Sequence, residues 1–121
     1  MGVARPPLRK KNMDLQHIII WIKPVCVQCN AVKRRIAEAL GAGENLSPTR
    51  INEFIAQDER VELRDLTAEE NAKDLEHFKG LGYTSAPITE YGTLAIPGYD
   101  PDGLDRIIEK WNKHAAESNR G

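Results

Sequence analysis

The chain is 121 residues long, of which 40% are hydrophobic and only 6% are aromatic. This length corresponds to one domain with its own core, and the composition makes that core mainly aliphatic. Lys and Arg together number 17 against 18 Asp and Glu, for a net charge of −1, whereas nucleic-acid binders usually carry a basic excess. No apolar run approaches the roughly 20 residues of a membrane-spanning helix. We therefore expect neither a nucleic-acid nor a membrane role, and nothing in the sequence demands more than a monomer.

The chain divides into three parts by composition. Residues 1–16 contain the basic cluster Arg9-Lys10-Lys11 but no apolar stretch like that of a signal peptide, so a flexible basic leader is predicted. Residues 17–114 carry the hydrophobic patterning of a folded domain. Residues 115–121 are predicted to form a C-terminal tail.

The first predicted element is a buried strand over residues 17–23, a β-branched run that is too short for a helix and ends at Pro24. A helix is predicted to follow Cys26 and to stop at Gly41, because apolar residues recur every four positions on one face. Its buried stripe is predicted to contain Val32, Ile36, Ala39 and Leu40, and its water-facing side Lys33, Arg34, Arg35 and Glu38.

A second helix is predicted from the local signals at its start. Ser47 is a preferred N-cap residue, and Pro48 follows it at the first helical position. The helix runs to Gln57 and has one apolar face made of Ile51, Phe54 and Ile55. Alternating residues then predict a second strand over residues 60–66.

The remaining elements are a helix, a hairpin and a final helix. Residues 67–70 form a capping-box pattern, which predicts a third helix from there to about Gly80. Residues 87–91 and 93–96 flank a glycine and predict a β-hairpin. The last helix is predicted to start near residue 100, with a buried stripe made of Leu104, Ile107, Ile108 and Trp111.

The element order is therefore β-α-α-β-α-β-β-α. A parallel βαβ unit followed by a helix and an antiparallel hairpin predicts a mixed four-stranded sheet flanked by helices on both faces. This α/β arrangement is the thioredoxin-like fold.

Both cysteines lie in the motif Cys26-Val27-Gln28-Cys29, at the start of the first helix. A disulfide between them closes a loop too short to stabilise the fold much, so we expect it to be made and broken. The helix N-terminus favours a thiolate at Cys26, and the nearby Lys23 would add to this effect. Cys26 would attack a substrate disulfide, and the more buried Cys29 would release the product. The motif indicates a thiol–disulfide oxidoreductase of the reducing cytoplasm that needs no cofactor beyond this redox-active disulfide.

A zinc site is the main alternative use of such a cysteine pair. It would need two further ligands, and the chain has no other cysteine. The three histidines, His17, His77 and His114, lack the spacing of metal ligands. No metal is therefore expected.

Pro87 starts the predicted hairpin, and the residues alone allow two interpretations of it. A trans proline is tolerated at the first position of a strand. A cis proline beside the cysteines would leave the preceding backbone available to pair with an incoming peptide.

Two segments resemble the NrdH-redoxins, which are glutaredoxin-like electron donors of class Ib ribonucleotide reductases. Residues 19–34 read Ile-Ile-Trp-Ile-Lys-Pro-Val-Cys-Val-Gln-Cys-Asn-Ala-Val-Lys-Arg, and Cys-Val-Gln-Cys is that family's usual active site. Residues 81–87 read Leu-Gly-Tyr-Thr-Ser-Ala-Pro and are similar to the family's Leu-Gly-Tyr and Ala-Pro stretch. Residues 98–102 echo its C-terminal motif, although Ile96-Pro97 replaces the family's Trp-Ser. Residues 41–59 look like an insertion with an extra helix.

The resemblance implies roles for individual residues and for partners. Cys26 would be the nucleophile, Cys29 the resolving thiol and Pro87 a cis proline. Thioredoxin reductase would recharge the disulfide, and ribonucleotide reductase or another disulfide-bearing protein would receive the electrons. The residues implied to contact the partner are Lys23, Val27, Gln28, Ser85 and Ala86.

Two other functions stay open at this point. A glutathione-dependent glutaredoxin needs cations for the glutathione carboxylates, and Lys23 with the run Lys33-Arg34-Arg35 could supply them. A thioredoxin-fold interaction module would keep its thiols idle and could dock partners through the apolar face of the inserted helix. A Cys26→Ser change separates these possibilities, because it abolishes turnover but leaves docking intact.

Overall fold

The computed structural model describes residues 17–120, with side chains described up to residue 117. The predicted basic leader, residues 1–16, lies outside this range. Among the residues described, no helix is long and apolar enough to cross a membrane.

Within residues 17–120 the strands form one mixed sheet. They are β1 (Ile18–Ile22), β2 (Val61–Asp65), β3 (Ile88–Tyr91) and β4 (Leu94–Pro97). The order across the sheet is β2-β1-β3-β4, with β1 parallel to β2 and antiparallel to β3, and β3 antiparallel to β4. The predicted mixed sheet, with the first strand at its centre, is confirmed.

Helices cover both faces of this sheet. They are α1 (Val27–Ala39), α2 (Pro48–Gln57), α3 (Ala72–Gly80) and α4 (Pro101–Arg120). One face packs Ile18 and Ile20 of β1 against α1, α2 and α4, and the other packs Trp21 against Phe78 of α3. Because successive side chains of a strand point to opposite faces, β1 is buried from both sides. The end of β1 and the start of α1 therefore lie where the two cores meet.

The segment predicted to be an insertion, residues 41–59, contributes α2 to the main core. Ser47 caps α2, since its Oγ accepts a hydrogen bond from the Arg50 backbone N–H at 3.2 Å. Ile51 and Ile55 are almost fully buried, and Phe54 is half-buried against the same cluster. The predicted cap and bounds of α2 are confirmed, and its apolar face packs against its own domain.

Asp58 and Arg60 close the insertion. The Arg60 guanidinium donates to the Asp58 carboxylate and, at 3.2 Å, to the Leu40 carbonyl oxygen at the end of α1. It also lies 5.7 Å from the centre of the Trp111 ring on α4. Hydrogen bonding from Arg60 lowers the pKa of Asp58. One arginine thus ties the insertion to both α1 and α4.

Two side chains of α1 lie differently from the prediction. Lys33 does not face water: it is only 9% exposed, and its Nζ donates to Asn52 Oδ1 at 2.8 Å. The reason is that α2 covers this side of α1. Ala37, rather than Ala39, completes the buried stripe, because Ala37 is fully buried and Ala39 is exposed.

The predicted capping box before α3 is wrong. The Asp65 carboxylate accepts hydrogen bonds from the Thr67 backbone N–H at 2.8 Å and from its hydroxyl at 2.6 Å. Thr67 is therefore held in a turn by Asp65, as aspartate side chains commonly do. A short 3₁₀ turn over Glu69–Asn71 follows, and α3 begins only at Ala72.

The final helix is longer than predicted. Leu104 and Ile107 are fully buried, as expected, and Asp100 Oδ1 accepts a hydrogen bond from the Gly103 backbone N–H at 3.2 Å near the helix start. The helix continues to Arg120, so residues 115–120 are part of α4 and not a separate tail.

Candidate active site

Cys26 is the N-cap residue of α1. Its backbone is extended, with φ −135° and ψ 106°, and its Sγ accepts a hydrogen bond from the Cys29 backbone N–H at 3.1 Å. An N-cap side chain normally satisfies one of the free amides of the first helical turn. Here a sulfur atom takes that place, so the amide and the positive end of the helix dipole both favour negative charge on it.

Cys26 and Cys29 form a disulfide, with their Cα atoms 5.2 Å apart. The two sulfur-bearing residues differ in exposure: Cys26 is half-buried, whereas Cys29 is only 2% exposed. Cys29 packs in a cluster that includes Trp21 and Phe78, below the surface of the site. The prediction that Cys29 is the more buried cysteine is confirmed, and Cys26 is the more accessible of the two.

The Pro87 segment lies beside the disulfide loop. The Ala86–Pro87 peptide bond is cis, as the resemblance implied. The Pro87 carbonyl oxygen accepts a hydrogen bond from the Gly98 backbone N–H at 2.8 Å. Gly98 in turn lies against Gln28, since a Cβ placed on this glycine would stand 3.6 Å from Gln28 Oε1. The structure therefore brings the motif, the proline and the loop before α4 together.

The other residues expected to contact a partner are arranged around this centre. Lys23 is exposed between β1 and the motif, and Val27 is 83% exposed. Ser85 is exposed, whereas the side chain of Ala86 is buried in the same cluster as Cys29. Their roles in binding stay predictions.

Val25 borders the candidate site, and the sequence did not reveal its conformation. It directly precedes Cys26, its side chain is 98% exposed, and its φ is +49°. A β-branched residue in the left-handed region is a conformational outlier. The sequence gives no signal for this, because valine normally indicates extended backbone.

We expect the Val25→Asn variant to be more stable than the wild type. Asparagine tolerates the left-handed region, and an exposed valine loses no packing when it is replaced. Relief of this strain is expected to raise the unfolding free energy by about 1 kcal/mol and Tm by about 2–6 °C. Thermal unfolding of the oxidised protein measures this, with Val27→Asn as the control because Val27 is also exposed but lies within α1. Equal Tm values for the two variants would contradict the prediction.

The histidines make other contacts. His114 Nδ1 lies 2.6 Å from the Tyr91 hydroxyl oxygen, and His17 lies 3.9 Å from a Glu62 carboxylate oxygen. Within the described part of the chain, no group of three or more His, Cys, Asp or Glu side chains could hold a metal ion.

The fold and the cysteine pair define a class: a thioredoxin-like domain with a C-x-x-C disulfide at the start of its first helix. Among solved structures, the chain is similar to the glutaredoxin-like protein NrdH-redoxin from Escherichia coli. The two share 23% sequence identity and superpose with a TM-score of 0.50, over 76% of this chain and 95% of the other. That protein has a thioredoxin-like activity profile. No protein-family model and no curated protein matches the chain.

Proposed function

We propose that this protein is a thiol–disulfide oxidoreductase that reduces protein disulfides through Cys26 and Cys29. The observation that carries the proposal is the disulfide at the N-terminus of α1, with the Cys29 amide donating to Cys26 Sγ at 3.1 Å. That arrangement stabilises a thiolate at the exposed end of the pair and keeps a second thiol directly behind it.

The reaction proceeds in two exchange steps. The Cys26 thiolate attacks one sulfur of the substrate disulfide, which breaks the substrate S–S bond and releases one substrate thiolate. The Cys29 thiolate then attacks Cys26 Sγ, breaks the mixed disulfide and releases the second substrate thiolate. Two electrons pass to the substrate, and the protons lost by the two cysteines end on its two thiols. The Cys26–Cys29 disulfide of the structure is the product of this sequence.

The proposed substrate is a protein that carries a disulfide. Val25 and Val27 project almost fully exposed apolar side chains on either side of Cys26. Exposed apolar groups around a reactive centre are typical of protein-binding surfaces. The backbone of Ser85 and Ala86, next to Pro87, would pair with an extended segment of the partner.

The electron source is proposed to be thioredoxin reductase, and ribonucleotide reductase is a candidate acceptor. The support is the Cys-Val-Gln-Cys motif together with the thioredoxin-like activity profile of the structural neighbour. Such a function places the protein in the reducing cytoplasm, where the dithiol form is maintained.

Glutathione is the alternative electron source, and the cations of the Lys33-Arg34-Arg35 run that were proposed to bind it make contacts within the domain. Lys33 is buried and bonded to Asn52. Arg35 makes a bidentate pair with the Asp105 carboxylate, with both distances from Nη2 at 2.8 Å. Arg34 lies 3.9 Å from a Glu38 carboxylate oxygen, so all three cations of the run have a partner within the domain.

The test follows NADPH consumption while insulin disulfides are reduced. Wild-type protein and Cys26→Ser are each supplied with thioredoxin reductase or with glutathione and glutathione reductase. We expect the wild type to turn over with thioredoxin reductase and Cys26→Ser to be inactive with both systems. Turnover with glutathione alone would overturn the proposed electron source. A wild type that fails to reduce insulin even after full reduction by dithiothreitol would overturn the oxidoreductase function.

A further inference from the structure

A buried lysine lies one helical turn from Cys29. Lys33 is 9% exposed, and among the residues whose side chains are described it is the only buried charged one. Lysine is almost never buried without a partner. Its burial is costly, and desolvation lowers the pKa of Lys33. The exchange steps of the proposed function assign no role to this lysine.

The inserted helix is what buries Lys33. Asn52 of α2 accepts a hydrogen bond from the Lys33 Nζ at 2.8 Å. Ile51 and Ile55, on either side of Asn52 in sequence, anchor α2 in the core. The ammonium is thus held in one place between α1 and α2, whereas an exposed lysine samples many rotamers.

Helix geometry places the Lys33 side chain beside Cys29. Residues four apart on a helix have Cβ atoms about 5–6 Å apart and share one face. Long side chains on a helix lean toward its N-terminus, so the stem of Lys33 leans toward the turn that carries Cys29. Both residues are buried, and charges interact more strongly in such surroundings than in water.

We propose that Lys33, held by Asn52, is a positioning residue that stabilises the thiolate of Cys29 and so speeds the second exchange step. The inference rests on the proposed function and gives the inserted helix a role in it. Cys29 lies in an apolar cluster that by itself would raise its thiol pKa. Lys33 opposes that effect.

Other charged or titratable groups surround the Cys29 cluster. Arg64 of β2 lies 5.4 Å from the centre of the Trp21 ring, and Glu90 of β3 accepts a hydrogen bond from Trp21 Nε1 at 2.8 Å. On the side of α3, the rings of His77 and Tyr83 contact Phe78 at centroid distances of 5.5 and 6.5 Å. Those groups, together with residues 26, 23 and 34, also contribute to the electrostatic surroundings of Cys29. Each of these groups is the same in two proteins that differ only at Lys33, so their contributions cancel in that comparison.

The direct test measures the pKa of Cys29 in a Cys26→Ser background, where it is the only thiol. Thiolate absorbance near 240 nm is followed against pH for this protein and for its Lys33→Met and Arg34→Met derivatives. Methionine keeps most of the buried aliphatic volume of lysine. We expect Lys33→Met to raise the Cys29 pKa by about one unit. Arg34→Met is the matched control, because it removes an equal charge from the next residue, which is more exposed, and we expect a much smaller change.

A second variant and a kinetic measurement separate this effect from a structural one. Asn52→Ala removes the anchor of the ammonium without changing the charge, and we expect a smaller rise in the same direction. In the protein with both cysteines, Lys33→Met should slow resolution of a preformed mixed disulfide about threefold at neutral pH, since a tenfold loss of thiolate is partly offset by higher nucleophilicity. Circular dichroism establishes that each variant is folded. If Lys33→Met does not fold, Asn52→Ala decides.

The outcomes distinguish this inference from the proposed function. Equal Cys29 pKa values for the background protein and Lys33→Met, or equal shifts for Lys33→Met and Arg34→Met, overturn the inference while insulin reduction by the wild type stands. Loss of insulin reduction in the wild type would overturn the function whatever the pKa of Cys29. A selective shift on Lys33→Met together with slower resolution supports both.

Discussion

The Cys29→Ser variant is expected to accumulate as a covalent complex with its disulfide substrate, whereas the Cys26→Ser variant forms no such complex. The reason lies in the exposure of the two residues. Cys26 is half-buried at the helix N-terminus, while Cys29 is 2% exposed among aromatic side chains. Without Cys29 the first exchange proceeds and the second cannot. Without Cys26 the remaining thiol is out of reach, and we expect turnover to fall more than about 10³-fold.

The measurement is mass spectrometry under non-reducing conditions after mixing each reduced variant with an oxidised peptide. A mass increase by one half of the peptide disulfide, reversed by dithiothreitol, identifies the mixed disulfide. The wild type serves as the control that releases the peptide and returns to the intramolecular disulfide. A protein whose thiols are idle would give no adduct with either variant. That result would favour the interaction-module function over the oxidoreductase.

The parts of this fold that the sequence predicts are those with local signals. Ser47 and Pro48 predict where α2 begins, and the structure shows the cap hydrogen bond that Ser47 accepts. The first strand is an uninterrupted apolar run of four isoleucines and Trp21, and such runs occur in strands buried on both faces. The active-site pair could also be predicted, because Cys26 and Cys29 are three residues apart at a predicted strand-to-helix junction.

What the sequence could not predict depends on contacts between distant segments. Lys33 belongs to the solvent face by periodicity, and only the packing of α2 places Asn52 over it. Thr67 has the sequence pattern of a helix cap, but its backbone N–H donates to the Asp65 carboxylate instead of taking part in a capping box. The left-handed backbone of Val25 is imposed by the junction between β1 and α1 and contradicts the residue's own preference. Two of these three exceptions lie on the segment that carries the reactive cysteines.

The second large effect is expected from the inserted helix: Ile55→Ala should lower the free energy of unfolding by about 2–4 kcal/mol. Ile55 is 1% exposed and belongs to the cluster that also contains Ile20 and Ile36. Removing its side chain leaves a cavity between α2 and the rest of the core, which costs more than the lost transfer energy alone. Urea unfolding of the oxidised protein measures the change. Glu53→Ala is the control, because Glu53 is exposed on the same helix and its loss should change stability by less than about 0.5 kcal/mol.

The stability of Ile55→Ala distinguishes a dispensable docking helix from a helix that the domain needs for its core. An added docking helix would be dispensable, and Ile55→Ala would then unfold like Glu53→Ala. A helix that is part of the core loses stability together with the whole domain, in one cooperative transition. Because the same helix holds Asn52 over Lys33, a loosened α2 should also release the buried ammonium. We therefore expect Ile55→Ala to raise the pKa of Cys29 in the direction of Asn52→Ala, which would link the stability of the insertion to the chemistry of the site.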